Sequence, residues 1–346
     1  MIDPMAPRVA LDAMGGDSGP SPLVEGAVLA IRDIPGLRVS LVGVEEALAR
    51  EMSRLGVEGE RRLSIVPAAE VVGMDESPMD ALRRKRDSSV LVAFKEHKAG
   101  RVDGVVSAGN SGATMAAAVR CLGRLPGVVR PGIAGPFPTL KGPVLMMDVG
   151  ANVDCRPKHL FQFGVMAAVY HEICFGTASP RVGLLSIGEE RGKGNSLVKR
   201  THELLQTSSL NYVGNIEGGD IFGGDVDVVV CDGFVGNVCL KVSEGMAEAL
   251  GTMLRDELSR DLSSRLGYLM SRHGFGRFKK RVDYAEYGGA PLLGLKGCGI
   301  VCHGKSNGRA IKNAIRVASE MAAKDIVGRI STILDKVGFD VPDDEG

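Results

Sequence analysis

Six apolar runs of this chain each end in a polar turn that contains glycine. They are VALDAMGGDSGP (9–20), VVSAGNSGA (105–113), LMMDVGAN (145–152), LLSIGEERGKGN (184–195), VVVCDGFVGN (228–237) and IVCHGKSN (300–307). Glycine lets an anion reach backbone N–H groups, and a helix that follows such a turn presents the positive end of its dipole. The chemistry this suits is the holding of phosphate or a phosphate ester. The candidate rim consists of Asp12, Asp17, Ser107, Asn110, Asp148, Asn152, Glu189, Lys193, Asn195, Asp232, Asn237, His303 and Asn307. In open α/β sheets ligands bind beyond the carboxyl ends of the strands. Parallel strands are expected to bring all six turns to one edge.

The positioning elements follow from hydrophobic patterning. Short β-branched runs at Val9–Leu11, Val39–Val42, Leu63–Val66, Gly104–Val106, Val144–Met147, Val182–Leu185, Val226–Cys231 and Ile300–Cys302 read as strands buried on both faces. Amphipathic stretches at Pro20–Ile31, Glu45–Leu55, Ser111–Cys121, Pro157–Ile173, Ser196–Leu205, Gly236–Leu258 and Ser306–Val327 read as helices. The alternation predicts a three-layer α/β/α fold around a largely parallel, mixed sheet. With no internal repeat and no flexible linker in view, residues 1–346 are expected to form a single unit, or two lobes without a tether.

Composition excludes several classes. Lys+Arg and Asp+Glu both number 42 among 346 residues, so a globally basic nucleic-acid binder is ruled out. Met1–Arg8 lacks the pattern of a signal peptide, and no apolar run approaches a membrane span. A cytoplasmic protein is expected. The seven cysteines (121, 155, 174, 231, 239, 298, 302) show no C-x-x-C and sit mostly in apolar runs, as reduced cytosolic thiols do. No metal or cofactor is expected. Two motif matches fail on context, and a third motif is missing. The GDSG at 16–19 has no preceding His and Asp to complete a triad. GIVCHGKS at 299–306 fits the Walker A pattern, but its middle residues are a strand rather than a loop. No G-x-G-x-x-G follows a strand.

A further segment carries two signals. Leu254, Leu258, Leu262, Leu266 and Met270 fall at i+4 steps, and eight Lys/Arg against three Asp/Glu lie between Arg255 and Arg281. Residues 246–283 are expected to form a protruding helical hairpin. Its stripe could pack within the chain, form a dimer, or lie on an anionic membrane or acidic protein.

Taken together the turns resemble the PlsX family, the bacterial phosphate acyltransferases of phospholipid synthesis. The matching segments are LDAMGGDSGP (11–20), MDESPMDALRRKRDSS (74–89), SAGNSGATMAAA (107–118), DVGANVDCRPKHLFQFGVMA (148–167), IGEERGKGN (187–195), VGNIEGGDIF (213–222), VCDGFVGNVCLKVSEG (230–245), YGGAPLLGLKG (287–297) and HGKSNGRAIKNAI (303–315). They run in family order over nearly the whole chain. Ser111 stands where Thr is common, and Lys305 where a small residue is more usual.

The resemblance implies a fold similar to isocitrate/isopropylmalate dehydrogenases and phosphotransacetylases, and a homodimer. It implies formation of acyl-phosphate from acyl-[acyl-carrier-protein] and inorganic phosphate, for use by a membrane glycerol-3-phosphate acyltransferase. No nucleic acid takes part. Phosphate is then the nucleophile, and the protein supplies positioning and charge stabilisation. Phosphate is assigned to Gly15, Gly16 and the 109–112 turn with Gly109, Asn110, Ser111 and Gly112. Lys193 and Asn195 are candidates for charge neutralisation. His303 is a candidate acid for the departing sulfur, or a structural histidine. Asp12, Asp148 and Asp232 are expected to orient neighbours; Asp17, Ser107, Asn152, Glu189, Asn237, Ser306 and Asn307 complete the substrate-binding set. Arg272, Arg277, Lys279, Lys280 and Arg281 are expected to dock the acidic carrier or place the protein on the inner face of the membrane. A covalent acyl carrier at Cys231 or Cys302 is the chemical alternative. An acyl-CoA phosphotransacetylase, a decarboxylating dehydrogenase and a non-catalytic scaffold are the competing functions.

Overall fold

A computed structural model describes residues 6–282 and 286–337, apart from the side chains of Lys279, Val282 and Val337. In chain order the elements are β1 (Arg8–Asp12), α1 (Ser21–Asp33), β2 (Arg38–Gly43), α2 (Glu45–Arg54), β3 (Leu63–Pro67), α3 (Pro78–Arg84), α4 (Ser89–Lys98), β4 (Gly104–Ser107), α5 (Ser111–Leu122), β5 (Gly132–Pro138) and β6 (Pro143–Met147). They continue as α6 (Pro157–Phe175), β7 (Arg181–Leu185), α7 (Ser196–Gln206), β8 (Asn211–Ile216), β9 (Val228–Val230), α8 (Gly233–Ser259), α9 (Leu262–Val282), β10 (Ala290–Leu293), β11 (Gly299–Val301), α10 (Gly308–Ala323) and α11 (Ile326–Val337).

The strands form one sheet in the order β3-β2-β1-β4-β11-β10-β5-β6-β9-β7-β8. Helices cover both faces and enclose two apolar clusters, one on each side. The three-layer reading is thus correct. The sheet is also largely parallel and mixed as expected, but its parallel strands do not all run one way. β1, β2, β3, β4 and β11 run parallel to one another, and β6, β7, β8 and β9 do likewise. Between them β10 is antiparallel to both β11 and β5, and β5 is antiparallel to β6. Three successive reversals leave the two parallel groups running in opposite senses. The carboxyl ends of β1, β4 and β11 therefore lie on one edge, and those of β6, β9 and β7 on the other. The single six-turn rim is corrected to two clusters.

The reversal was hidden because β5 and β10 do not look like strands. β5 reads GIAGPFP, with two glycines and two prolines in seven residues. The glycines are there for space: a Cβ on Gly132 would sit 2.8 Å from Met147 Cε, and one on Gly135 3.1 Å from Val149 Cγ2. β10 is short and follows Gly288 and Gly289, both at positive φ. The predicted helix Ser306–Val327 is two helices, because Asp325 adopts φ 47° between α10 and α11. α4 carries SVLVAF, buried at every position, so it shows no amphipathic period to read.

The two halves also share a device. Arg8, first in β1, donates its backbone N–H and its guanidinium to Asp103, just before β4. Arg181, first in β7, grips Asp227, just before β9, through the same atoms. Burial pushes both carboxyls up, but the arginine and backbone bonds more than offset it and hold them below the usual range. A lowered carboxylate contributes stability above its unfolded value of about 3.9 and loses it as pH falls through the native value. The thermal midpoint of the Asp103→Asn/Asp227→Asn variant should therefore fall less than that of the parent between about pH 4.5 and pH 2.5. Equal falls would deny the clamps this role.

Candidate active site

The first cluster is built from the turns after β1, β4 and β11. Asp12 ends β1 fully buried and accepts a 2.7 Å bond from Ser107 Oγ at the end of β4. Burial pushes its carboxyl up against the bonds it accepts from Ser89, Ser107 and the backbone. Ser107 Oγ in turn takes the N–H of Gly109, at 3.2 Å, and lies 3.3 Å from Thr114 Oγ1. The turns are pressed together where only glycine fits. A Cβ on Gly15 would lie 2.6 Å from the backbone nitrogen of Gly109. Gly16 has φ +94°, and Asp17 N–H bonds the carbonyl of Gly304 at 2.8 Å. Three helix amino ends open here: α4 at Ser89, α5 at Ser111 and α10 at Gly308. A small crevice among Asp12, Gly15, Ser89, Gly109, Asn110 and Thr114 marks the junction. Ser111, Gly112, Lys305 and Asn307 are exposed on the rim, while Ser306 is buried.

Asn110 is not free to reach a substrate. Its Oδ1 caps α5 by accepting Ala113 N–H at 3.0 Å. Its amide donates to the carbonyls of Met74, at 2.9 Å, and Glu76, at 3.1 Å. Three other rim candidates are caps too: Asn195 for α7, Asp232 for α8 and Asn307 for α10 each accept the N–H three residues on. An Asn or Asp between a strand and a helix is what a helix start needs, so the type that suggested a ligand also serves the fold.

The second cluster lies on the opposite edge. Asp148, fully buried, accepts the N–H groups of Ile133, Ala151 and Asn152 and the Asn152 side-chain amide. Burial outweighs these bonds and pushes its carboxyl up. Asn152 also donates to the Pro131 carbonyl at 2.8 Å, so both residues are committed to the turn. Glu189, Lys193 and Asn237 are exposed, and the Lys193 stem lies over Gly188. Lys193 and Asn195 therefore belong to the second cluster of turns, and Gly15 and Gly109 to the first.

Family comparison now supplies a chemical class for this arrangement. A family model described as "Fatty acid synthesis protein" matches residues 7–329. Phosphate acyltransferases of Geotalea uraniireducens and Geobacter sulfurreducens are each 55% identical over 94% of this chain and 93% of theirs. The chain belongs to this family. With it the chain is an acyltransferase. The fold has solved counterparts: a phosphotransacetylase from Streptococcus pyogenes superposes with a TM-score of 0.64 over 94% of this chain and 96% of that one, at 17% identity. The EutD phosphotransacetylase of Staphylococcus aureus gives 0.59 over 93% and 96%, at 15% identity. At such identities the likeness is one of fold.

For an acyltransferase of this family the cysteines matter by exclusion. Burial pushes the Cys302 thiol up to about 12 and that of Cys231 well above its ordinary value. Both are buried thiols without thiolate character, so neither is suited to carry an acyl group. Sequence reasoning missed Lys241 and Glu244. They lie on α8, in the segment VCLKVSEG, where an i,i+3 pair looks like any solvated helix face. It also missed Ser89 and Thr114, though Asp-Ser-Ser before an apolar run is a helix-start signal.

The hairpin begins earlier than expected, since α8 starts at Gly233, and α9 packs back along it. Val238, Val242, Met246, Leu250 and Met253 are exposed along α8, and Leu262, Leu266, Leu269 and Met270 along α9. Arg272, Arg277 and Lys280 are exposed, whereas Arg281 donates to the carbonyls of Thr139 and Leu140. The Lys279 side chain lies outside the described residues. Among the described residues no helix is long and apolar enough to cross a membrane.

Proposed function

We propose that the enzyme transfers an acyl group from acyl-[acyl-carrier-protein] to inorganic phosphate, giving the acyl-phosphate consumed in phosphatidic acid synthesis. The observation that carries this is the convergence of three glycine turns and three helix amino ends on one edge, in a chain of the acyltransferase family. That edge offers backbone N–H groups at Gly16, Ser111 and Gly112 to an anion while its buried carboxyl, Asp12, accepts the Gly15 N–H and is turned into the protein to hold the turns. Phosphate attacks the thioester carbon, so the protein needs no nucleophile of its own. Its work is to align two substrates and to stabilise the charge that develops.

The second cluster sits at the other end of α8, so it is assigned to the part of the carrier-borne donor remote from the thioester. Lys193→Ala is expected to raise the KM for the carrier-borne donor about tenfold, the size of a lost charge-assisted contact, with the phosphate KM unchanged. A matching rise in the phosphate KM would return Lys193 to the phosphate. The basic residues Arg272, Arg277, Lys279 and Lys280 are assigned to the acidic carrier or the inner membrane face, and the exposed apolar faces of α8 and α9 to a second copy of the chain.

Thiol release from a long-chain acyl-[acyl-carrier-protein], with and without phosphate and with hydroxylamine as trap, tests the reading. Phosphate-dependent release with an acyl-hydroxamate product supports it. Turnover with acyl-CoA alone makes the enzyme a phosphotransacetylase, and tight carrier binding without turnover makes it a scaffold.

A further inference from the structure

α8 joins the two edges of the sheet. Its amino end is capped by Asp232 in the second cluster, and a rise of about 12 Å carries it to Lys241. There its side chains meet the turn after β11, in the first cluster. Lys241 Nζ lies 2.8 Å from Glu244 Oε2 and 3.2 Å from His303 Nε2. Glu244 Oε2 is 3.9 Å from the same Nε2. The other ring nitrogen is committed: His303 Nδ1 accepts the backbone N–H of Lys305 at 3.1 Å. The ring thus lies between its own turn and the Lys241–Glu244 pair.

The proton source beside it is Lys241. Its side chain is about half exposed, with 52% of its surface open, whereas Glu244 is at 23% and His303 at 31%. The carboxylate is therefore the inner member and the ammonium the one that faces outward. The turn holding His303 touches the phosphate cluster directly, since Gly304 accepts Asp17 N–H and a Cβ on Gly304 would lie 2.6 Å from Asp17 Oδ1. An acyl thioester attacked by phosphate held at the turns of Gly15 and Gly109 would have its carbonyl and sulfur on this side.

We propose that Lys241 is a catalytic residue of the transfer, with Glu244 as the residue that positions it. This rests on the acyl-transfer reading above. A phosphate oxygen forms a bond to the thioester carbon, and the carbonyl electron pair moves to oxygen. Collapse breaks the C–S bond and the pair leaves on sulfur. The thiolate takes a proton from the Lys241 ammonium, and the lysine recovers one from the hydrogen phosphate by way of solvent. The net change is thioester plus hydrogen phosphate to acyl-phosphate plus thiol. Glu244 keeps the ammonium at the end of β11 and keeps it from donating elsewhere.

The test is steady-state kinetics of Lys241→Met, Lys241→Arg and Glu244→Gln with acyl-[acyl-carrier-protein] and phosphate, each checked for an unchanged thermal midpoint. Lys241→Met should lower kcat about 10²-fold, as loss of a transition-state donor does, with both KM values within about threefold of the parent. Lys241→Arg should recover at least about tenfold over the Met variant by restoring a cation, and Glu244→Gln should lower kcat without moving the phosphate KM. A kcat near the parent value, a loss confined to KM, or an Arg variant no better than Met would overturn the inference alone. Absence of phosphate-dependent turnover in the parent enzyme would overturn the reading beneath it.

Discussion

Replacing Gly15 by alanine is expected to lower kcat/KM about 10²-fold, the cost of moving a positioned group by roughly an ångström. The added Cβ would stand 2.6 Å from the backbone nitrogen of Gly109 and 2.9 Å from its Cα. No side chain can swing away, because the obstacle is main chain. The turns after β1 and β4 must separate, and the N–H groups they direct outward lose their common focus. The fold should tolerate this, since the glycine sits in a turn and Asp12 and Ser107 can keep their bond. The phosphate KM should rise while the donor KM holds. Parent-like kinetics with a parent-like melting curve would show that these two turns do not share an anion.

Asp148 should behave in the opposite way, as a stability residue. Its carboxylate satisfies three backbone N–H groups and one side-chain amide with no exposure to water. Asp148→Ala leaves four buried donors without their acceptor, at about 1–3 kcal/mol each before relaxation. Partial rearrangement brings the expected loss to about 3–5 kcal/mol. Asp148→Asn should also destabilise, because one oxygen becomes an NH2 group facing donors. The α8 start depends on the same turn: a Cβ on Gly236 would overlap the Asp148 carbonyl, at 1.9 Å. Chemical denaturation of Asp148→Ala reads the loss. A loss under about 1 kcal/mol would mean that water replaces the carboxylate and that the residue is not the hub of its turn.

Much of this was legible in the residues. Continuous apolar runs such as VVV at 228–230 and LMM at 145–147 marked buried parallel strands, and glycine-rich turns marked their carboxyl ends. What patterning could not reveal was which edge each turn occupies. That depends on β5 and β10, whose glycines and prolines suppress the strand signal for reasons of packing and turn geometry. One missed antiparallel pair was enough to merge two clusters into one. Residue type misled in a second way: Asn110, Asn195, Asp232 and Asn307 sit where a ligand would want them and where a helix cap wants them. Lys241 and His303 are 62 residues apart in sequence, on a helix and a turn, and only the path of α8 brings them together.

Arsenate stands in for phosphate in shape and charge, and its arsenic scatters anomalously. Crystals of the enzyme grown with arsenate would place the anion directly. The account predicts a single anomalous peak within hydrogen-bond reach of the Gly15–Gly16 and Gly109–Gly112 backbone, on the edge that carries His303 and Lys241. A peak at Gly188–Asn195 or Gly233–Asn237 instead would contradict it.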